Sequence, residues 1–205
     1  MSDFKLSPPP IQEPHPPLYV AAATTPDSAI FAGKIGQGLV QPGYLGIPLG
    51  LVRDLTSRYR ENLPQGKNSD VILGVHLHVA RDREEAIKHG AFALATQAQV
   101  FLRSSAQRQR LSGEKEAYAT KSESRRAFEK LSEPEKARRA VAEESPNIMA
   151  VWGTPDDCLE RIGYYVDSIH PEQLMLNIAS GSLPQETILN SMRLCAEAVV
   201  PALRN

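Results

Sequence analysis

Cysteine is scarce: Cys158 and Cys195 are the only two in 205 residues, and they form no CxxC spacing. That excludes a disulfide framework and argues against a zinc site, and both thiols are expected to stay reduced. Charge excess is also missing. Lys and Arg number 23 against 24 Asp and Glu, a net charge of -1, which disfavours nucleic-acid or anionic-membrane binding as the main activity. No apolar run approaches the roughly 18 residues of a membrane span. The first 17 residues, MSDFKLSPPPIQEPHPP, carry neither a hydrophobic signal core nor a twin-arginine pair. The expectation is a cytoplasmic protein with no membrane and no nucleic-acid partner. The apolar content of 41% is enough for a real core, in one large domain or two small ones.

What is present is an alternation of strand and helix signals. Prolines 8–10, 14, 16 and 17 make the start of the chain an extended lead-in. The apolar run 18–23 lacks alternation, which suits a parallel strand covered on both faces. A helix follows to Gly36, then a short strand over 38–41 and a helix over 49–62. The clearest strand, VILGVHLHVA, covers 71–80, and Asp82 opens a helix that is amphipathic to about residue 102. From 103 to 144 the chain is dense in Arg, Lys and Glu and reads as a solvated helical segment. A capped helix over 156–169, a fourth strand over 173–179 and a last helix over 184–203 complete the order. Four parallel βα units result, with ligands expected at the C-terminal ends of the strands. They fit an open α/β layer or half of an eight-stranded barrel, and the pattern alone leaves both open.

Residues 18–36, LYVAAATTPDSAIFAGKIG, form one device. Thr24 and Thr25 can cap, Pro26 suits the first helical position and Asp27 the positive helix start. Ala29, Ala32 and Gly33 give a small-residue face for close packing on a sheet, and Gly36 stops the helix. Free amides there, with the hydroxyls of Thr24, Thr25 and Ser28, could cradle a phosphate; an ordinary N-cap explains the same residues.

Other polar groups also fall at strand ends. His76 and His78 are two apart on a strand and share a face, as proton-transfer, metal-binding or pocket-lining groups. No third ligand is placed by spacing, so no metal is assigned, and pocket lining or polar packing is expected. Tyr44 follows the second strand and Asn177, with Ser180 and Gly181, ends the fourth; Tyr44 and Asn177 are candidate pocket residues. Asn177 could equally be a satisfied strand end. Thr154, Pro155, Asp156 and Asp157 are explained as capping with an acidic first turn, and their charge would repel phosphate. Trp152 reads as a packing anchor that could stack on a ring. His15, His89 and His170 read as surface or turn residues.

Four segments, PPLYVAAATTPDSAIFAGKIGQGL, VILGVHLHVARDREEAIKHG, WGTPDDCLERI and LMLNIASGSLPQETILNSMRLCAEAVVPALR, stand in an order that resembles the C-terminal half of bacterial-luciferase-like flavin monooxygenases. The resemblance implies the fifth to eighth βα units of a (β/α)8 TIM barrel. It implies one partial-barrel domain over 1–205, with 1–17 as lead-in and 103–150 as a charged helical insertion. It also implies FMN as cofactor, reduced and used with oxygen on a small organic substrate, with a deazaflavin as the variant cofactor. Thr24, Thr25 and Ser28 match the family's phosphate-binding loop. No catalytic residue is assigned. A half-barrel exposes two strand edges and an uncovered face, so a homo-oligomer or a chain supplying the first half is expected. The competing reading is a truncated, non-catalytic relative acting as a dimerisation or partner-binding subunit.

Overall fold

A computed structural model of the chain describes residues 8–9, 11–13, 15–43, 47–112, 119–143, 149–178 and 183–204, with side chains for all of these except 105, 108–112 and 119–124. Strand β1 (Tyr19–Ala21) leads to α1 (Pro26–Lys34), β2 (Gly38–Gln41) to α2 (Leu49–Glu61), and β3 (Val71–Val79) to α3 (Arg83–Ser112). Then come α4 (Ala119–Leu131), α5 (Pro134–Ala142), β4 (Ala150–Gly153), α6 (Pro155–Ile169), β5 (Gln173–Asn177) and α7 (Gln185–Leu194). A π-helical turn (Cys195–Val199) joins α7 to α8 (Val200–Leu203). Pro201 lacks an N–H and its ring crowds the preceding turn, which the wider π turn relieves.

The four expected βα units are present, in a wholly parallel sheet of five strands. The fifth, β4, is a correction: its four residues AVWG show no alternation that marks them as a strand. Strand β3 is the hub. Along one edge, the Asp70 carbonyl accepts from Leu39 of β2, while His76 and Ala80 donate to Met149 and Gly153 at β4. Along the other edge, β3 pairs with β5 from Ile72↔Gln173 to His76↔Asn177. Beyond the end of β5, the Val79 N–H donates instead to Ser191 Oγ at 2.8 Å. Because both groups are buried, Ser191→Ala strands that amide, and urea denaturation is expected to show a loss of about 1 to 3 kcal/mol.

Period 2 decides what β3 shows to each side. Leu73, Val75, Leu77 and Val79 enter the main core with Cys158, Ile162, Tyr165 and Ile169 of α6 and with Cys195 and Val199. At the β1 side of this same face, Ala29 and Ala32 of α1 join Leu39, Val71, Leu55 and Tyr59. The tightest approach of α1 is to a helix, not to the sheet: a Cβ on Gly33 would lie 2.5 Å from the Tyr59 carbonyl oxygen of α2.

The second face, with Ile72, Gly74, His76 and His78, is covered unevenly. At its base Tyr19 lies over Gly38 and donates to Asp70 at 2.8 Å, and Gln173 Nε2 donates to both at 3.2 and 3.0 Å. At the C-terminal end, α3 crosses it. Between these, Ala21 and Met175 are exposed. The expectation that residues 18–23 are covered on both faces is therefore corrected: an apolar run of alanines does not reveal whether a second layer exists. The charged segment is corrected in part: its charges are solvated, with Arg125–Glu129 and Arg139–Glu143 paired one turn apart, but the segment is not solvated all round. Phe128, Leu131, Ala137 and Val141 of α4 and α5 are buried against Ala91, Leu94, Ala95 and Ala98 of α3, in a separate small core. Its apolar residues are few, yet they fall on the packed sides of two short helices. Among the described residues no helix is long and apolar enough to cross a membrane.

Candidate functional site

All five strands are parallel, so their C-terminal ends share one edge of the sheet, and most of the expected site residues stand there. Thr25 is the N-cap of α1 in an extended conformation, and its side chain makes no capping hydrogen bond. Pro26 has no amide to satisfy. Thr24 and Ser28 are half-buried and Thr25 is exposed. The Ser28 amide donates to the Thr25 carbonyl at 3.1 Å, so the group the protein itself leaves unused is the Thr25 hydroxyl at a helix start, which fits a phosphate ligand. Exposed Asp27 in the same turn opposes an anion.

The helix start of α6 contrasts with this. Thr154 Oγ1 accepts from the Asp157 amide at 3.3 Å, and the Thr154 amide donates to Asp157 Oδ2 at 2.9 Å, a closed capping box. Arg83 holds the other carboxylate oxygen at 2.5 Å. Thr154 and Asp157 of that turn are therefore committed to structural tasks.

His76 and His78 project from β3 onto the second face, as their spacing required. His78 is 3% exposed and its Nε2 lies 3.1 Å from Nδ1 of His89 on α3, the two rings edge to face with centroids 5.1 Å apart. Sequence reading placed His89 at the surface; the structure makes it half-buried, because α3 folds back over the end of β3. Gly90 permits that approach, since a Cβ there would sit 2.7 Å from the Trp152 ring. Trp152 is thereby the anchor on which α3 seats. Burial, and then the neighbouring His89, push the His78 imidazole down to about 4; burial lowers His76 as well. Both rings are neutral at neutral pH, able to donate and accept hydrogen bonds.

Asn177 faces His76 in register at the last position of β5 and is exposed. His76, His78, Gln97, Trp152 and Asn177 line a small cavity of about 20 Å³. Tyr44, Ser180 and Gly181 lie outside the described residues. Thr24, Thr25 and Ser28 are not part of the histidine cluster: they stand at β1, with β2 between them and β3, so roughly 10 Å separates the two groups at normal strand spacing. Among the described residues no group of three or more His, Cys, Asp or Glu could hold a metal ion. Burial, followed by Asp157 and Cys195, pushes the Cys158 thiol up to about 12, which removes it as a nucleophile.

Comparison with known proteins adds family and fold. No curated protein matches the chain in sequence. Among solved structures, monooxygenase RslO1 from Streptomyces bottropensis is 26% identical with a TM-score of 0.60, over 94% of this chain and 50% of that one. The oxygenating constituent of 3,6-diketocamphane monooxygenase from Pseudomonas putida, solved in complex with FMN, is 16% identical with a TM-score of 0.52, over 89% and 47%. The coenzyme F420 dependent tetrahydromethanopterin reductase from Methanopyrus kandleri is 18% identical with a TM-score of 0.52, over 91% and 50%. The chain therefore spans about half the length of these relatives. The sequence pattern of luciferase-like monooxygenases matches residues 1–170, which include all of β1 to α6. On that match, the chain belongs to the luciferase-like monooxygenase family.

Proposed function

We propose that the chain carries the phosphate-binding side of a flavin-dependent monooxygenase site and takes FMN. The observation that carries this reading is the start of α1, where the Thr25 side chain caps nothing at the ligand end of a family-matched parallel sheet. In this arrangement the hydroxyls of Thr24, Thr25 and Ser28, at the positive start of α1, bind the phosphate. The second face, running towards His76, His78 and Asn177, takes the ring end and a small organic substrate. A bound reduced flavin would supply the redox chemistry with oxygen; the residues here bind, orient and exclude water.

Titration of the purified chain with FMN, followed by flavin fluorescence, tests the reading. The Thr25→Ala, Ser28→Ala double variant is expected to bind about 1 to 3 kcal/mol more weakly than the native chain. Unchanged affinity removes the cradle. Competition with a deazaflavin mononucleotide in the same titration separates the two cofactor types named among the relatives.

The reading includes a partner. The open middle of the second face, where Met175 is 44% exposed, is to be covered by a chain supplying the remaining βα units or by a second copy of this one. Light scattering on the pure chain distinguishes a self-assembled dimer from a monomer awaiting another polypeptide.

A further inference from the structure

His89 stands between two spaces. It lines an open groove of about 640 Å³ between α3 and α5, surrounded by Glu85 and Lys88 of α3 and Glu135 and Arg138 of α5. Its Nδ1 also lies against Nε2 of His78 at 3.1 Å. The other ring nitrogen of His78, Nδ1, is buried with no protein partner. His78 in turn lines the small cavity of about 20 Å³, with His76, Gln97, Trp152 and Asn177. A space of that size suits one water, provided two to four polar groups surround it. The orphaned His78 nitrogen, His76, Gln97 and Asn177 meet that condition.

We propose that His89, His78 and one water in this cavity form a proton relay joining the α3–α5 groove to the second face of the sheet at His76 and Asn177. A neutral imidazole holds one N–H and one lone pair, so it can accept at one nitrogen while donating at the other. In the resting state His89 carries its proton on Nδ1, donating to Nε2 of His78, and His78 carries its own on Nδ1, donating to the water. A proton taken from the groove at Nε2 of His89 makes a transient imidazolium. The Nδ1 proton of His89 then passes to Nε2 of His78, the Nδ1 proton of His78 passes to the water, and the water gives up one of its own protons to His76 on the second face. One proton enters, one leaves and both rings end neutral; transfer in the opposite direction resets them. The groups packed on His78 from β4 and β5, Trp152 and Asn177, are uncharged, and His76 is the titratable neighbour on its own strand. The relay is a property of the protein alone and does not depend on flavin binding.

The test is nitrogen-15 NMR of the histidine rings in the full chain without ligand, comparing the native protein with His89→Gln. Glutamine keeps a hydrogen-bonding group beside His78 but cannot switch tautomers. The ring proton of His78 is expected to exchange with solvent at least tenfold faster in the native protein than in the variant. Equal rates in the two proteins overturn the relay. Should H89Q fail to fold, the native chain decides: a water cross-relaxation signal at the His78 ring supports the relay, and its absence overturns it.

Discussion

Acidification from pH 6.5 to pH 4 is expected to remove about 3 kcal/mol of folding stability through His78. The sign follows from where the proton goes. In the unfolded chain the imidazole titrates at its ordinary 6.5, whereas in the fold burial, reinforced by His89, holds it near 4. A pH unit or more above 6.5, neither state is appreciably protonated and the group contributes almost no pH dependence. Below 6.5 the unfolded chain takes up a proton that the native chain refuses, so stability falls with pH until the native ring also titrates near 4. His76 acts in the same direction. Urea denaturation of the native chain and His78→Leu across this range is the measurement. Carboxylates titrate alike in both proteins, so the difference between the two curves isolates the imidazole. Parallel curves would show that His78 is not held neutral.

Gly43→Ala is expected to cost about 3 to 5 kcal/mol, since it combines two penalties. Gly43 has φ of +61°, where a Cβ is strained. That Cβ would also lie 1.9 Å from the carbonyl oxygen of Gly74. The oxygen is held in place, since it belongs to β3, on the edge between its pairing with β2 and its pairing with β4. Gly74 answers in kind, since its own Cβ would meet Pro42 backbone at 2.8 Å. Relief would require moving the central strand. Loss of the cooperative thermal transition, or its fall by more than ten degrees, checks this on the scale set by unfolding entropy. A variant as stable as the native chain would refute the close crossing.

The central strand and the pairing of His76 with His78 were legible because nine residues rich in Val, Leu and Ile declare a strand and period 2 then fixes a shared face. The start of α1 was legible from Thr25 and Pro26 for the same local reason. What escaped was non-local. His89 meets His78 only because α3 turns back over the sheet on Gly90 and Trp152, and a helical histidine carries no mark of the strand it will touch. β4 escaped because four residues are too few to show a period. The packing of α4 and α5 on α3 escaped because charge dominates their composition while a handful of apolar side chains decides their placement.

The pairing pattern of β3 also bears on how the chain tolerates change in length. Val71–Val79 receives β4 and β5 only after the excursion through α3, α4 and α5, and Ile72 meets Gln173 across about a hundred residues of chain. Closing such a loop costs entropy that grows only with the logarithm of its length, about 0.6 kcal/mol for each doubling. The helical excursion also holds itself together through its own small core. It can therefore lengthen or shorten over evolutionary time with little charge to the sheet, while the few residues of β4 and β5 that must find β3 afterwards keep their register.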